Sequence, residues 1–197
     1  MAGVEVPTVD DSSVIVSSLR EPQQFAVLYE RYAGDVHRYI YRRVGPDLAD
    51  DLVAQTFLVA FARRHTYDAS VHRARPWLFG IATWEISRHR RVESARYRAL
   101  ARAAPDQPVP EGIAERVADA VTARVAYPAL AEALARLRAG DRDCLLLYAW
   151  GDLTYEEVAA GLRIPVGTVR SRLNRARRKL RDAFGGNDPM AIKEENE

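Results

Sequence analysis

The chain has 197 residues, of which 48% are apolar and 28% are charged, with a formal net charge of +2. This balance is typical of a soluble globular protein and excludes a disordered or fibrous one. The longest apolar run, Cys144–Trp150, is far shorter than the roughly 20 residues that a membrane-spanning helix needs. Because no secretory signal is visible at residues 1–20 either, we expect a cytoplasmic protein without a membrane segment.

The first part of the chain predicts two helices in succession. Apolar residues recur at three-and-four spacing over 25–44, which indicates an amphipathic helix that ends at a Gly-Pro pair. The next helix begins with Asp47, Asp50 and Asp51, because carboxylates are favoured at the positive end of the helix dipole. These acids and Gln55 share a polar face opposite the apolar stripe, so this face is available to a partner protein.

A third helix completes the first domain, and a linker follows it. Pro76 suits the first turn of this helix, so the first domain is predicted to be a three-helix bundle. Residues 93–126 are rich in alanine and charge and contain closely spaced prolines, as expected of a flexible linker. The predicted division is a tail (1–20), a first domain (21–92), the linker (93–126), a second domain (127–185) and a C-terminal tail (186–197).

The second domain is predicted to contain four short helices, at 128–139, 141–150, 154–162 and 165–184. Gly140 and Gly151 mark the ends of the first two, and Thr154 with Glu157 fits a capping box at the start of the third. No strand pattern appears in the sequence, so the expected fold class is all-α, with two small helical domains. The last two helices are joined by a short turn, which is the layout of a helix-turn-helix.

The last helix is the most basic segment of the chain. Residues 166–181 carry seven arginine or lysine side chains and no acid, which suits a phosphate backbone. Val169, Leu173, Ala176 and Leu180 form a stripe that packs inward. Because the second helix of a helix-turn-helix enters the major groove, we expect the opposite face to contact DNA. This recognition face consists of Gly167, Thr168, Arg170, Ser171, Asn174, Arg175 and Arg178.

Three stretches resemble the extracytoplasmic-function (ECF) sigma factors of bacterial RNA polymerase. Residues 164–177, IPVGTVRSRLNRAR, resemble region 4 of that family. Residues 50–58, DDLVAQTFL, resemble region 2.2, and residues 75–82, RPWLFGIA, resemble regions 2.3 to 2.4. The resemblance implies that the first domain binds the β′ clamp helices of the polymerase core and opens the minus-10 element, while the second binds the minus-35 element of promoter DNA. An anti-sigma factor is a further partner that the family allows.

The resemblance also implies roles for particular residues of the first domain. The polar face of the second helix becomes the core-polymerase surface, made of Asp47, Asp50, Asp51 and Gln55. Contacts to the minus-10 element are implied for Tyr67, Trp84, Arg88 and Arg91. Helical spacing predicts that Trp84, Arg88 and Arg91 share one face, and an indole beside cations suits unpaired bases. Trp84 stands where the family usually has asparagine, and Trp77 is expected in the core.

Three other classes of protein are compatible with parts of the sequence. A helix-turn-helix regulator that acts as a dimer shares the last two helices but leaves residues 25–91 unexplained. A helical enzyme has no support, because the four histidines show no metal-ligand spacing and no phosphate-binding glycine loop is present. A helical adaptor needs no exposed arginine and asparagine face. We therefore expect no catalysis, cofactor or metal site, and we expect the single cysteine, Cys144, to be a buried apolar residue.

Overall fold

The computed structural model describes residues 10–102 and 120–184, with side chains from Pro128 onward in the second range. Within these ranges the chain forms α-helices and two short 3-10 helices, and no strand, so the all-α fold class is confirmed. The α-helices are α1 (Asp11–Ser18), α2 (Ala26–Val44), α3 (Pro46–Arg63), α4 (Arg75–Arg88), α5 (Arg90–Arg102), α6 (Ala120–Arg136), α7 (Ala139–Ala149), α8 (Tyr155–Leu162) and α9 (Val166–Ala183). The 3-10 helices are Pro22–Phe25 and Arg64–Thr66.

Among the residues that the structure describes, no helix combines the length and the apolar character needed to cross a membrane. The predictions made for residues 1–9, for residues 103–119 of the linker and for residues 185–197 lie outside the described ranges.

Helices α2, α3 and α4 pack together as the predicted bundle. Leu28, Val36, Ile40, Leu78 and Phe79 are fully buried at its centre. A proline lies in the first turn of both α3 and α4, where a backbone N–H would have no helical partner to lose. The bundle fixes the exposed faces of α3 and α4, which carry the candidate site residues of this domain.

Residues 1–20 were predicted as a tail, but α1 lies within them and packs onto the bundle. Val14 and Ile15 are buried. The buried carboxylate of Asp11 accepts hydrogen bonds from the Tyr32 hydroxyl at 2.5 Å and from the backbone N–H of Ala74 at 2.8 Å. These partners are 21 and 63 residues away, so the anchor of α1 has no signal in local periodicity.

Helix α5 occupies the first part of the segment predicted as a linker. Its composition is polar, yet Glu93 and Tyr97 are buried. Glu93 lies between two arginines from other helices, Arg43 and Arg142. A carboxylate placed in this way stabilises a helix that hydrophobic periodicity does not reveal, since the contact is electrostatic and long-range.

The second domain contains the four predicted helices, with shifted starts. Pro128 lies inside α6 and not at its beginning. Gly140 lies in the first turn of α7 and does not separate two helices, because the break falls at Arg138, whose backbone is extended. Cys144 is buried, as expected. The inward stripe of α9 is confirmed, since its four members have no exposed surface: Val169, Leu173, Ala176 and Leu180.

The first domain contacts the second through α4 and α8. A Cβ atom added to Gly80 would lie 2.1 Å from the carbonyl oxygen of Gly161. A Cβ atom added to Gly161 would lie 2.6 Å from the carbonyl oxygen of Pro76. Real Cβ atoms do not approach backbone so closely. The two helices therefore meet backbone to backbone, and only glycine fits at this crossing.

A buried group of charges forms a second contact between the domains. The Arg43 guanidinium of α2 donates to Glu93 Oε1 at 2.6 Å and to Asp143 Oδ1 at 2.5 Å. Arg142 of α7 donates to the other oxygen of Glu93 at 2.9 Å. Arg43 and Glu93 are each 1% exposed. Two cations and two carboxylates thus compensate one another where α2 and α5 meet α7.

Candidate nucleic-acid interface

Helices α8 and α9 form the predicted helix-turn-helix. Thr154 and Glu157 make the capping box, because the Glu157 N–H donates to Thr154 Oγ1 at 3.2 Å and the Thr154 N–H donates to Glu157 Oε2 at 2.9 Å. Arg163 ends α8 in the left-handed conformation, with φ of 53° and ψ of 48°. This conformation costs a non-glycine residue on the order of 1 kcal/mol. It turns the chain so that α9 begins at Val166.

The recognition face of α9 lies opposite the buried stripe. Arg170, Ser171, Asn174 and Arg178 are exposed, and Gly167 is also exposed at the start of the helix. Thr168 and Arg175 are partly buried. The structure thus brings all seven predicted residues to one side of one helix, and they combine arginine and asparagine, which recognise base edges, with smaller groups that allow close approach.

Arg175 differs from the other arginines of this face because a carboxylate from α7 binds it. Its Nε donates to Asp141 Oδ2 at 3.2 Å and its Nη2 donates to Asp141 Oδ1 at 2.8 Å. The hydrogen bond to Asp141 raises the pKa of Arg175 above its usual value. Sequence reasoning missed Asp141, because the two residues are 34 positions apart and only tertiary packing brings them together.

Trp84 is exposed on α4 and lies between two cations. The guanidinium carbon of Arg63 lies 5.8 Å from its ring centroid, and that of Arg88 lies 5.5 Å away. The prediction that Arg91 shares this helix face is wrong. Helix α4 ends at Arg88, the backbone bends at His89 (φ −105°, ψ 28°), and Arg91 is an exposed residue of α5. The second cation beside Trp84 is Arg63 of α3. Helical spacing could not identify it, because it lies on another helix.

Tyr67 lies beside α4 and packs on Trp77. The ring centroids of Tyr67 and Trp77 are 5.0 Å apart, and the Tyr67 hydroxyl donates to the carbonyl oxygen of Val71 at 2.6 Å. Burial raises the pKa of Tyr67, and nearby Asp11 adds to this effect. Trp77 is partly buried against the core, in agreement with its predicted packing role.

A cavity of about 680 Å³ opens between the first domain and the end of α8. Aromatic and cationic side chains line it together, among them Arg63, Tyr67, Trp77, Trp84 and Arg163. Residues 160–163, at the end of α8 and its C-cap, form the wall that faces α4. The candidate minus-10 residues Tyr67 and Trp84 therefore line a cavity whose other wall belongs to the helix-turn-helix.

The predicted polar face of α3 is fully exposed. Asp47, Asp50, Asp51 and Gln55 all point to solvent. The Asp50 carboxylate lies 3.2 Å from His37 Nε2, and its side chain is 93% exposed. Leu58 is 63% exposed, and it lies one helical turn beyond Ala54 and two turns beyond Asp51 on the same face of α3. This exposed leucine beside four polar residues was not among the predicted site residues.

Fold and surface together define a class of protein: an all-α chain with two helical domains, the second of which presents a basic recognition helix in a helix-turn-helix. Comparison with known proteins agrees with this class. The family model described as Sigma-70 region 2 matches residues 28–96, and the model described as Sigma-70, region 4 matches residues 128–180.

Proteins with similar sequences identify the family. The chain is 33% identical over 155 residues to the ECF RNA polymerase sigma factor SigL of Mycobacterium tuberculosis, which covers 78% of this chain and 85% of SigL. It is 26% identical over 164 residues to SigM of Bacillus subtilis, with 82% and 96% covered. The chain belongs to the ECF sigma factors, the subunits that give RNA polymerase its promoter specificity.

Two solved structures share the fold. CnrH, in complex with the cytosolic domain of CnrY, matches with a TM-score of 0.61 at 21% identity and covers 90% of this chain and 98% of CnrH. The sigma factor RpoE of Bartonella quintana, in complex with the anti-sigma factor NepR, matches with a TM-score of 0.57 at 21% identity. It covers 83% of this chain and 98% of RpoE.

Proposed function

We propose that this sigma factor binds its partners through three separate surfaces. Helix α3 binds core polymerase, α4 with its surroundings binds the minus-10 element, and α9 binds the minus-35 element. The observation that carries the proposal is the composition of α9. One face of this helix is completely buried, and the opposite face exposes Arg170, Asn174 and Arg178, which leaves these donors available to DNA.

On the minus-35 surface, arginine and asparagine recognise bases and the remaining cations bind phosphate. Arginine can donate two hydrogen bonds to guanine, and asparagine can bind adenine in the same way. Lys179 is exposed and lies outside the recognition face, so it suits the DNA backbone. Backbone contacts supply affinity that depends on salt, while base contacts supply preference for sequence.

On the minus-10 surface, Trp84 stacks on a base of the separated strand. Trp84 is 48% exposed, and Arg63 and Arg88 provide positive charge beside its ring. Stacking on an aromatic ring contributes roughly 1–3 kcal/mol per base and depends little on which base is present. The asparagine that is usual here discriminates by hydrogen bonds, so Trp84 relaxes specificity at this step. Tyr67 and Arg88 are the further minus-10 contacts, and exposed Arg91 approaches the same strand from α5.

On the polymerase surface, the acidic face of α3 is followed by an exposed apolar residue, Leu58. Asp47, Asp51 and Gln55 supply charge and polarity, while Leu58 supplies apolar area that a partner can bury. Interfaces commonly combine a few buried apolar residues with a polar rim. Asp50 adds a fourth polar group to this rim. The surface therefore suits a basic partner such as the β′ clamp helices.

An anti-sigma factor is proposed as an inhibitory partner of this chain. Support comes from the two structural neighbours, which were solved with the cytosolic domain of CnrY and with NepR respectively. An inhibitory protein of this kind, added to a reconstituted transcription reaction, is expected to abolish the promoter-dependent transcript. A transcript that persists with saturating inhibitor would argue against that partner.

Reconstitution with sigma-free core polymerase tests the proposed function. We expect transcripts that depend on promoter sequence, whereas a helix-turn-helix regulator that acts alone would give none. Asp51→Arg and Leu58→Asp should weaken binding to core polymerase, because one reverses a charge and the other removes apolar contact. Glu132→Arg, a charge reversal at an exposed position of α6, is the matched control. Equal core binding by all three variants would exclude α3 from the interface.

A further inference from the structure

Arg175 lies at the edge of the recognition face, and its guanidinium is held in place. Asp141, in the first turn of α7, is 3% exposed, while the Arg175 side chain is 41% exposed. In the part of the chain that the structure describes, neither Arg170 nor Arg178 has a carboxylate within ion-pair distance. Arg175 is thus the member of this face that combines an exposed side chain with a buried partner.

The geometry of this ion pair leaves a particular edge of the guanidinium available. A guanidinium has five N–H donors in one plane. Asp141 accepts from Nε and from Nη2, which occupies the side of the group. Both Nη1 hydrogens and one Nη2 hydrogen remain, and they define the end of the group. Nη1 and Nη2 can each donate one of these hydrogens to guanine, which presents two acceptors, O6 and N7, in the major groove.

The support beneath Arg175 is a helix that is buried in the second domain. Asp141 belongs to α7, whose residues 144–147 are buried in the core of the second domain. The neighbouring Arg172 packs over Gly140, where an added Cβ atom would lie 2.9 Å from Nη1. Two arginines of α9 are therefore held against the first turn of α7. A side chain fixed before binding loses less conformational freedom when it meets its ligand.

We propose that Asp141 is a positioning residue for promoter recognition, which directs the end of the Arg175 guanidinium toward a guanine in the minus-35 element. The inference rests on the proposed minus-35 role of α9 and deepens it, because it names the base that one residue recognises. It also adds to DNA recognition a residue that lies outside the recognition face. Arg170, Asn174 and Arg178 then account for the other positions of the element.

Binding of the reconstituted holoenzyme to promoters with all four bases at each minus-35 position tests this inference. The unmodified protein is expected to prefer guanine at one position by roughly 5- to 150-fold, the range of one good bidentate contact. Arg175→Ala and Asp141→Asn should both abolish this preference, and the double variant should lose no more than either single variant. Arg178→Ala should leave the guanine preference intact, and Glu132→Gln on α6 is the matched control.

Arg175→Lys provides a second measurement that does not disturb Asp141. Lysine keeps the positive charge but lacks the planar pair of donors. The salt dependence of binding should therefore stay as in the unmodified protein, while the preference for guanine falls.

Three outcomes would overturn the inference. The first is an Asp141→Asn protein that retains the guanine preference. The second is an Asp141→Asn protein that binds every sequence equally less well and melts at a lower temperature, which would make Asp141 a purely structural residue. The third is an Arg175→Lys protein with full guanine preference. If the unmodified holoenzyme shows no minus-35 dependence at all, the proposed role of α9 itself is wrong.

Discussion

The two helices proposed to contact DNA differ in their surroundings. Five of the seven residues on the recognition face of α9 are exposed to solvent. Helix α4 packs against α8 through Gly80 and Gly161, and Trp84 borders the cavity between them. The minus-35 surface is therefore preformed and accessible, whereas one side of the minus-10 surface is covered by the second domain.

The proposed DNA-binding surfaces predict that promoter binding separates the two domains. The minus-35 and minus-10 elements are named for positions about 25 base pairs apart, which is roughly 85 Å along DNA. Helix α9 is only about 27 Å long, and it follows directly on α8, which touches α4. Both elements cannot be bound while Gly80 contacts Gly161. If α4 and α9 bind these elements as proposed, the described arrangement is a closed form of the protein.

The largest effect is expected from a charge placed under the recognition face. Leu173 has no exposed surface, so Leu173→Asp buries an unpaired carboxylate and should destabilise the second domain by about 3–5 kcal/mol. Minus-35 binding should be lost with it. Asn174→Asp, at the adjacent exposed position, is the control and should melt near the normal temperature. A Leu173→Asp protein of normal stability would contradict the buried stripe.

The contact between the domains is tested by Gly80→Ala. The new Cβ atom would meet the Gly161 carbonyl oxygen at 2.1 Å, so α4 and α8 must move apart, at a cost of about 1–3 kcal/mol. Small-angle scattering should show a larger radius of gyration, while minus-35 binding is retained. Gly34→Ala is the matched control, because no atom lies within 4 Å of its added Cβ. An unchanged radius in the Gly80→Ala protein would argue against the closed form in solution.

We expect stacking on Trp84 to contribute roughly 1–3 kcal/mol to the free energy of promoter opening. Trp84→Ala should slow open-complex formation on a duplex promoter but have much less effect on a template already melted at the minus-10 region, where bases are already unstacked. Trp77→Ala is the control, and it should lower the melting temperature because Trp77 packs on the core. Equal effects of Trp84→Ala on both templates would make Trp84 a packing residue.

The smallest effects are expected from single contacts of α9. Lys179→Ala should weaken binding to all sequences alike and reduce the slope of affinity against salt by about one. Arg170→Ala should instead reduce preference at one minus-35 position, by about 1–3 kcal/mol if Arg170 recognises a base edge. Binding measured at several salt concentrations distinguishes the backbone contact of Lys179 from the base contact of Arg170. A uniform loss for both variants would mean that α9 binds only the DNA backbone.

Sequence patterns predicted the parts of this fold that depend on residues close to one another in the chain. The capping box at Thr154, the proline in the first turn of α4 and the buried stripe of α9 are each determined by neighbours within a turn or two of helix. Helix α1 escaped prediction, since the buried carboxylate of Asp11 is stabilised by Tyr32 and Ala74, which are distant in sequence.

The residues of the candidate site likewise divide into those that helical spacing predicted and those that it missed. Helical spacing identified the recognition face of α9 and paired Trp84 with Arg88. It wrongly extended that face to Arg91, because α4 ends at Arg88 and Arg91 belongs to α5. Asp141 and Arg63 were missed because each reaches its partner from a different helix.

The group of charges formed by Arg43, Glu93, Arg142 and Asp143 has a consequence for the separated domains. When the domains part, this portion of the interface presents ions that water hydrates well, and not a large apolar patch. The group contains two cations and two carboxylates, and α7 carries one of each sign, Arg142 and Asp143. The exposed surfaces are thus poor templates for aggregation while the protein is open.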